Sequence, residues 1–241
     1  MNTAKLPVLI AVAAAALLQP ISITAAPVGA ASEWRFRVLL DNKEIGFHDF
    51  RISRDDAGKV VDSDARFDVK IFFINAFSYR HRNQEVWAGD CLARLDAETD
   101  SNGKETRVKG EQGDDQFMLT VNDDPAALPA CVKTFAYWDP SIIEADSLLN
   151  VQTGQLEPVS ASRMGEDQVM HNGEPIDAVR YQLATNRGDI SLWYDAKDGR
   201  WLALEAPAKG GRRLRYEPLA LPENTPTWLS GLATAGEANE G

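Results

Sequence analysis

Three side chains have the types and the spacing for chemistry. His81 and Glu85 lie in the stretch Phe77-Ser-Tyr79-Arg-His81-Arg-Asn-Gln-Glu85-Val-Trp87, and His48 lies in Gly46-Phe47-His48-Asp-Phe50-Arg-Ile52. Side chains of an extended strand alternate between its two faces. His81 and Glu85 therefore share a face with Phe77, Tyr79, Asn83 and Trp87, and His48 shares one with Phe50 and Ile52. The opposite faces carry Phe47, Asp49 and Arg51, or Arg80, Arg82 and Gln84. If the aromatic faces turn inward, two imidazoles and one carboxylate turn inward with them. Burying such groups is costly unless they are paired, and four readings follow. In the simplest, Glu85 accepts hydrogen bonds from His81 or Tyr79 inside a sheet. In the second, a mostly apolar pocket with a few placed polar groups binds a ligand through His48, Tyr79, His81, Glu85, Trp87 and Trp138. In the third, His48, His81 and Glu85 act as general acids and bases. The fourth is a His/His/Glu metal site, whose ligands would come from separate strands without the close spacing metal sites favour. No metal or other cofactor is expected.

The elements that must position these residues read as hairpins. Trp34, Phe36, Val38 and Leu40 share a face of a first strand, and Asp41-Asn42-Lys43 turns the chain into the strand of His48. After the turn Asp55-Asp56-Ala57-Gly58, a long third strand sets Ala65, Phe67, Val69, Ile71 and Phe73 against Asp64, Arg66, Asp68 and Lys70. Asn102-Gly103, Asn186-Arg187-Gly188, Asp198-Gly199 and Gly210-Gly211 supply the positive φ angles that tight hairpins demand. His171, in Met170-His171-Asn172-Gly173, marks a further turn. Roughly ten such strands make a mainly β protein with a large antiparallel sheet, which curls because strand twist accumulates. Two segments depart from this pattern. Asp123–Cys131 is a proline-broken loop. Asp139–Asn150 is a short helix, capped by Asp139 with Pro140 in its first turn, which packs on the concave side of the sheet.

Composition bounds the rest. The chain has 241 residues and a formal charge of −11, with 44% apolar residues, 3 His and 2 Cys. It is long enough to bury a full core, and an acidic chain without a basic tract is a poor partner for nucleic acid. Met1–Lys5, the uncharged apolar run Leu6–Leu18 and the small residues around Val28-Gly29-Ala30 form a signal peptide, residues 1–31, too short to span a bilayer. That leader holds one Lys and no acid, so the mature chain is one unit more negative, −12. A single β-rich domain covers 32–220. The tail, 221–241, contains one turn around Trp228-Leu229. Cys91 and Cys131 both lie in the mature part, where export favours a disulfide over free thiols; a catalytic thiol has no neighbouring His in sequence. Arg212-Arg213-x-Arg215 reads as the outward face of a last strand.

Several of these patterns together carry a resemblance. They are Trp34–Leu40 with Gly46-Phe47-His48, Phe77-x-Tyr79-x-His81-x-x-x-Glu85-x-Trp87, Tyr137-Trp138, Leu148-Leu149-Asn150-x-x-Thr153-Gly154, and Leu192-Trp193-Tyr194 followed by Trp201. Over about residues 33–219 the chain resembles uncharacterised periplasmic domains of unknown function and the bacterial lipoprotein-carrier (LolA-like) half-barrel superfamily. The resemblance implies a curved sheet around an apolar cavity and lipid-like ligands. It implies no catalytic residue.

The expectation is an exported, periplasmic protein binding a lipid or other apolar molecule in the cavity of a half-barrel. The alternatives are a periplasmic hydrolase or isomerase using His48, His81 and Glu85, and an envelope scaffold or chaperone pairing through a sheet edge. The mature chain spans no membrane and binds no nucleic acid. The leader gives the first test: mass spectrometry of the exported protein should find an N-terminus at Ala31 or Ser32, and an intact Met1 would contradict it.

Overall fold

A computed structural model describes residues 31–55, 58–71 and 74–223. The expected leader as far as Ala30 with its expected cleavage site, Phe73, and the turn expected at Trp228-Leu229 lie outside the described residues. The chain runs through fifteen strands: β1 (Ser32–Leu40), β2 (Lys43–Asp55), β3 (Gly58–Ile71), β4 (Ile74–Ala88), β5 (Cys91–Ser101), β6 (Lys104–Gln112), β7 (Gln116–Val121), β8 (Asp124–Pro129), β9 (Ser147–Asn150), β10 (Gln155–Pro158), β11 (Ser160–His171), β12 (Glu174–Ala184), β13 (Ile190–Asp195), β14 (Trp201–Ala208) and β15 (Arg212–Ala220). Thirteen form one antiparallel sheet in the order β11-β12-β13-β14-β15-β1-β2-β3-β4-β5-β6-β7-β8, and β9 pairs with β10 alone. Two meanders, β1–β8 and β11–β15, are thus joined edge to edge by the pairing of β1 with β15. The sheet does not close, and β8 and β11 are its edges.

Turn chemistry explains the hairpins. Asp41, Asn42, Asn102 and Asn172 all take positive φ, with Gly103 and Gly173 following in the same region, as tight hairpin turns require. Gly46 answers a different need. Its φ is +153°, and a Cβ there would stand 1.8 Å from the Arg66 carbonyl oxygen of the neighbouring strand. Only glycine lets β2 and β3 run this close beside the irregularity at Val38/Leu39.

Thirteen strands at about 4.8 Å spacing would make a flat sheet nearly 60 Å wide. Here the apolar faces of both meanders share one core instead. Phe36 from β1, Leu95 from β5, Phe117 from β7, Leu192 from β13 and Trp201 from β14 belong to a single cluster. Residues 130–159, between the meanders, cover that face. Trp138, Ile142, Leu148 and Leu149 enter the same cluster at no more than 1% exposure, and each contributes roughly 2 kcal/mol of burial. Charges occupy the opposite face in cross-strand pairs such as Arg35–Asp49, Arg80–Asp68 and Lys109–Asp96. Arg212, Arg213 and Arg215 lie on β15 and pair with Asp41, Glu205 and Glu217.

The cover corrects two expectations. Asp139 caps a helix, its Oδ1 accepting the Ser141 N–H at 3.0 Å, but the helix is a 3₁₀ turn of five residues, Pro140–Glu144. Residues Ser147–Asn150 are strand β9, not helix. Leu148 and Leu149 pair with Glu157 and Leu156, and Leu149 also bridges Thr134, so backbone pairing outcompetes a helix with few turns to propagate. The segment Asp123–Cys131, expected to be a loop, contains edge strand β8, where Pro125 and Pro129 are tolerated because an edge leaves N–H positions unpaired. Phe77, placed inward by parity, is instead exposed where β4 begins.

The cover is tied down covalently and by charge. Cys91, opening β5, is bonded to Cys131 across 40 residues. Lys59 on β3 meets Asp139 at 3.6 Å, with its ammonium between the Trp87 and Trp138 rings. Closing a loop of this length contributes roughly 3–4 kcal/mol in the chain-entropy account. A Cys91→Ser/Cys131→Ser variant should lose about that much in urea unfolding, and an unchanged midpoint would show that the bridge does not hold the cover.

Candidate functional site

Register, more than sequence proximity, assembles the candidate site. Across β2, β3 and β4, His48 pairs with Ala65 and Ala65 with His81; Phe50 pairs with Ser63 and Ser63 with Asn83; Ile52 pairs with Val61 and Val61 with Glu85. Three rows thus place two histidines, a serine, an asparagine and a glutamate on the covered face. A cavity of about 290 Å³ remains there, bounded on the cover side by Thr134, Phe135, Tyr137 and Trp138 and on the far side by Ile190, Ala206 and Pro207. Burial changes along it, from exposed Gln152 and Arg187 at one end to buried His81, Asn83 and Glu85 at the other.

Glu85 is the most constrained member. It is 4% exposed. Its Oε1 accepts a hydrogen bond from Asn83 Nδ2 at 2.7 Å, its Oε2 one from Trp87 Nε1 at 2.8 Å, and Thr134 Oγ1 donates at 3.2–3.3 Å. Burial pushes its pKa above the ordinary 4.5, while those donors and Lys59 pull against the rise. The carboxylate therefore joins strand to cover: Thr134 belongs to residues 130–159, and Trp87 packs edge-on against Trp138 at 5.6 Å. These partners differ from the expected His81 and Tyr79. The reason is geometric. Same-face neighbours two residues away are within reach, whereas His81, four residues along, is about 13 Å distant at ~3.3 Å per residue.

Each histidine has its own partners. His81 Nδ1 lies 2.9 Å from Thr99 Oγ1. His48 Nδ1 lies 3.1 Å from Tyr216 Oη and its Nε2 3.2 Å from Ser63 Oγ, with the ring stacked on Phe50 at 4.1 Å. Desolvation lowers both: His81 falls from 6.5 to about 4, and His48, also repelled by His81, goes well below its ordinary value. All three candidate residues line one cavity, but among the described residues no hydrogen bond joins any two of them. Trp138 also lines the cavity. Trp87 is fully buried behind its wall, and Tyr79 stacks on Phe67 at 5.1 Å, away from it. Among the described residues no group of three or more His, Cys, Asp or Glu is placed to hold a metal ion.

Other wall residues are not among the expected ones. Ser63 and Asn83 are accessible by parity, since they alternate with Val61, Ala65, His81 and Glu85. Glu157 and Arg187 carry no such signal. Glu157, in β10, is buried, accepts from Asn150 Nδ2 at 2.9 Å and meets Arg187 Nη2 at 3.1 Å; the two lie about thirty residues apart and only the tertiary fold joins them.

The histidines set an acid sensitivity. Both are held neutral in the fold, so below 6.5 the unfolded chain binds protons the folded chain refuses. Their stabilisation is present above 6.5 and is lost as pH falls towards the folded values, near 4 for His81. Glu85, with a raised value, acts in the opposite sense: its contribution is present at low pH and is lost as pH rises through its folded value. From pH 7 to pH 5 the two histidines should together remove roughly 2–4 kcal/mol of unfolding free energy, Glu85 offsetting part of it, and His81→Gln should shift the slope by the share of one histidine. A slope unchanged in His81→Gln would contradict the buried neutral histidine.

Comparison with known proteins fits this geometry. A family model described as a domain of unknown function (DUF6134) matches residues 36–219. A crystallised β-barrel-like protein of the domain-of-unknown-function family DUF1849, from Brucella abortus, superposes with a TM-score of 0.61 at 9% identity, covering 81% of this chain and 98% of that one. At that identity the likeness speaks for the fold alone. No match was found among functionally curated proteins. Of the two resemblances in the sequence, these comparisons support the uncharacterised β-barrel-like domains. With a match that spans residues 36–219, most of its length, the chain belongs to the DUF6134 family.

Proposed function

We propose that this protein is an exported binding protein that holds a small, mostly apolar ligand between the half-barrel and its cover. The cavity carries this reading. Protein interiors are close-packed, with few voids larger than a water molecule, yet a space of about 290 Å³ persists beside a core of fully buried tryptophans. At ~30 Å³ per water-sized unit it takes about ten non-hydrogen atoms. That suits one short lipid-derived chain or a comparable molecule. Phe135, Tyr137 and Trp138 offer it an aromatic wall, and His48, Ser63 and Asn83 a polar end.

Export is supported by the leader pattern and by the Cys91–Cys131 bridge, since disulfides persist in oxidising compartments such as the periplasm. Among the described residues no helix is long and apolar enough to cross a membrane. Catalysis by His48, His81 and Glu85 has weaker support, because nucleophile and base chemistry needs groups within hydrogen-bond reach of one another. At the edge strand β8, pairing with a partner meets prolines that hinder an added strand; β11, the other edge, has none.

The test is a titration of the mature protein with 1-octanol, followed by calorimetry and tryptophan fluorescence. Saturable one-to-one binding should appear and weaken at least tenfold in Ala206→Trp, which fills the cavity from β14, with an unchanged circular dichroism spectrum. Absence of saturable binding, or equal binding by the filled variant, would refute the proposal.

A further inference from the structure

The charges around the cavity say which head group it accepts. At its buried end the wall offers no cation among the described residues. Lys59, on the same strand as Val61 and Ser63, is not part of the wall: its ammonium is paired with Asp139 at 3.6 Å, from where it also acts on Glu85. His48 has both ring nitrogens engaged, by Tyr216 and Ser63, and His81 is engaged with Thr99. Burial keeps both rings neutral. The acids are on the other side of the balance: Glu85 lies at the buried end, and Glu157, also buried, lies near the mouth. Arg187 is the cation of the mouth, 54% exposed and already paired with Glu157 at 3.1 Å.

The polar atoms point the same way. Asn83 is fixed in orientation, because its Nδ2 donates to Glu85 at 2.7 Å. Its Oδ1 then has no partner, and it is the one buried, unpartnered side-chain atom in this wall among the described residues. An orphaned buried acceptor is destabilising, and a donor from the ligand would relieve it. Glu85, already accepting from three donors, has nothing to offer an anion. A phosphate or carboxylate at this end would give up its hydration without gaining a positive partner.

Resting on the binding reading above, we infer that the buried end of the cavity selects a ligand whose head is a neutral hydrogen-bond donor, an alcohol or primary amide, and rejects anionic heads on the same chain. The expected ligand class is therefore the neutral, single-chain amphiphile. Phospholipid head groups and free fatty acids fall outside it.

Four probes of equal chain length separate the possibilities: 1-octanol, octanamide, octanoate and octyl phosphate, titrated into the mature protein at pH 7.5 by calorimetry. Octanol and octanamide should bind, and the two anions at least tenfold more weakly. Glu85→Gln should narrow the gap between octanol and octanoate severalfold by removing the carboxylate. Asn83→Leu, which removes the acceptor without adding charge, should weaken octanol while leaving octanoate as weak as before. Arg187→Gln should leave the gap in place. Anions binding as well as octanol, or a preference that disappears in Arg187→Gln, would overturn the head-group inference while leaving the binding reading intact. Failure of all four probes would defeat the binding reading and this inference with it.

Discussion

An open sheet of thirteen strands has one apolar face too large to leave in water, and the structure is organised by how that face is covered. About thirty residues between the two meanders must do it. They do so with a short 3₁₀ turn, a two-stranded hairpin and the side chains of Trp138, Ile142, Leu148 and Leu149, all within the common core. Because a cover this small contributes few backbone hydrogen bonds to the sheet, it depends on specific ties: the Cys91–Cys131 bridge, the Lys59–Asp139 pair and the Thr134 hydrogen bond to Glu85. Those ties all reach strands β3–β5, the same part of the sheet that carries the candidate site.

Glu85 connects folding with function in this picture. Its carboxylate is tolerated because Asn83, Trp87 and Thr134 all donate to it. The three donors stand in different parts of the structure. Asn83 faces the cavity, Trp87 packs under the cover and Thr134 is part of the cover. A charge removed from water for structural reasons thereby sets the electrostatic character of the space beside it. The acidic, cation-poor end of the cavity follows from how the cover is fastened.

Much of this is legible in the sequence, for a physical reason. Strand alternation has a period of two, so His48, His81 and Glu85 can be assigned to covered faces from their aromatic neighbours alone, and the turn pairs Asn102-Gly103 and Asn172-Gly173 carry their own backbone requirement. Parity can equally pick out Ser63 and Asn83. It cannot supply cross-strand partners, which depend on register. Parity alone therefore sets Glu85 beside His81, when its partners are Asn83 and Trp87 two residues away and Thr134 from the cover. The two segments that depart from expectation, Asp123–Cys131 and Asp139–Asn150, are those whose conformation is decided by tertiary pairing. Pro125 and Pro129 are accommodated in β8 because it is an edge strand, and Leu148-Leu149 extend because Leu156 and Thr134 are there to pair with. The Glu157–Arg187 pair has no local signature at all.

The central claim is that the space beside Glu85 is a ligand site and not a packing defect. Intermolecular nuclear Overhauser effects between 1-octanol and the mature protein examine it at atomic level. The account requires the chain methylenes to lie near the Trp138 indole and the Ala206 methyl, and the carbinol end near Asn83 and Ser63. Contacts confined to the charged outer face around Arg35 and Asp49, or none to the cavity wall, would contradict it.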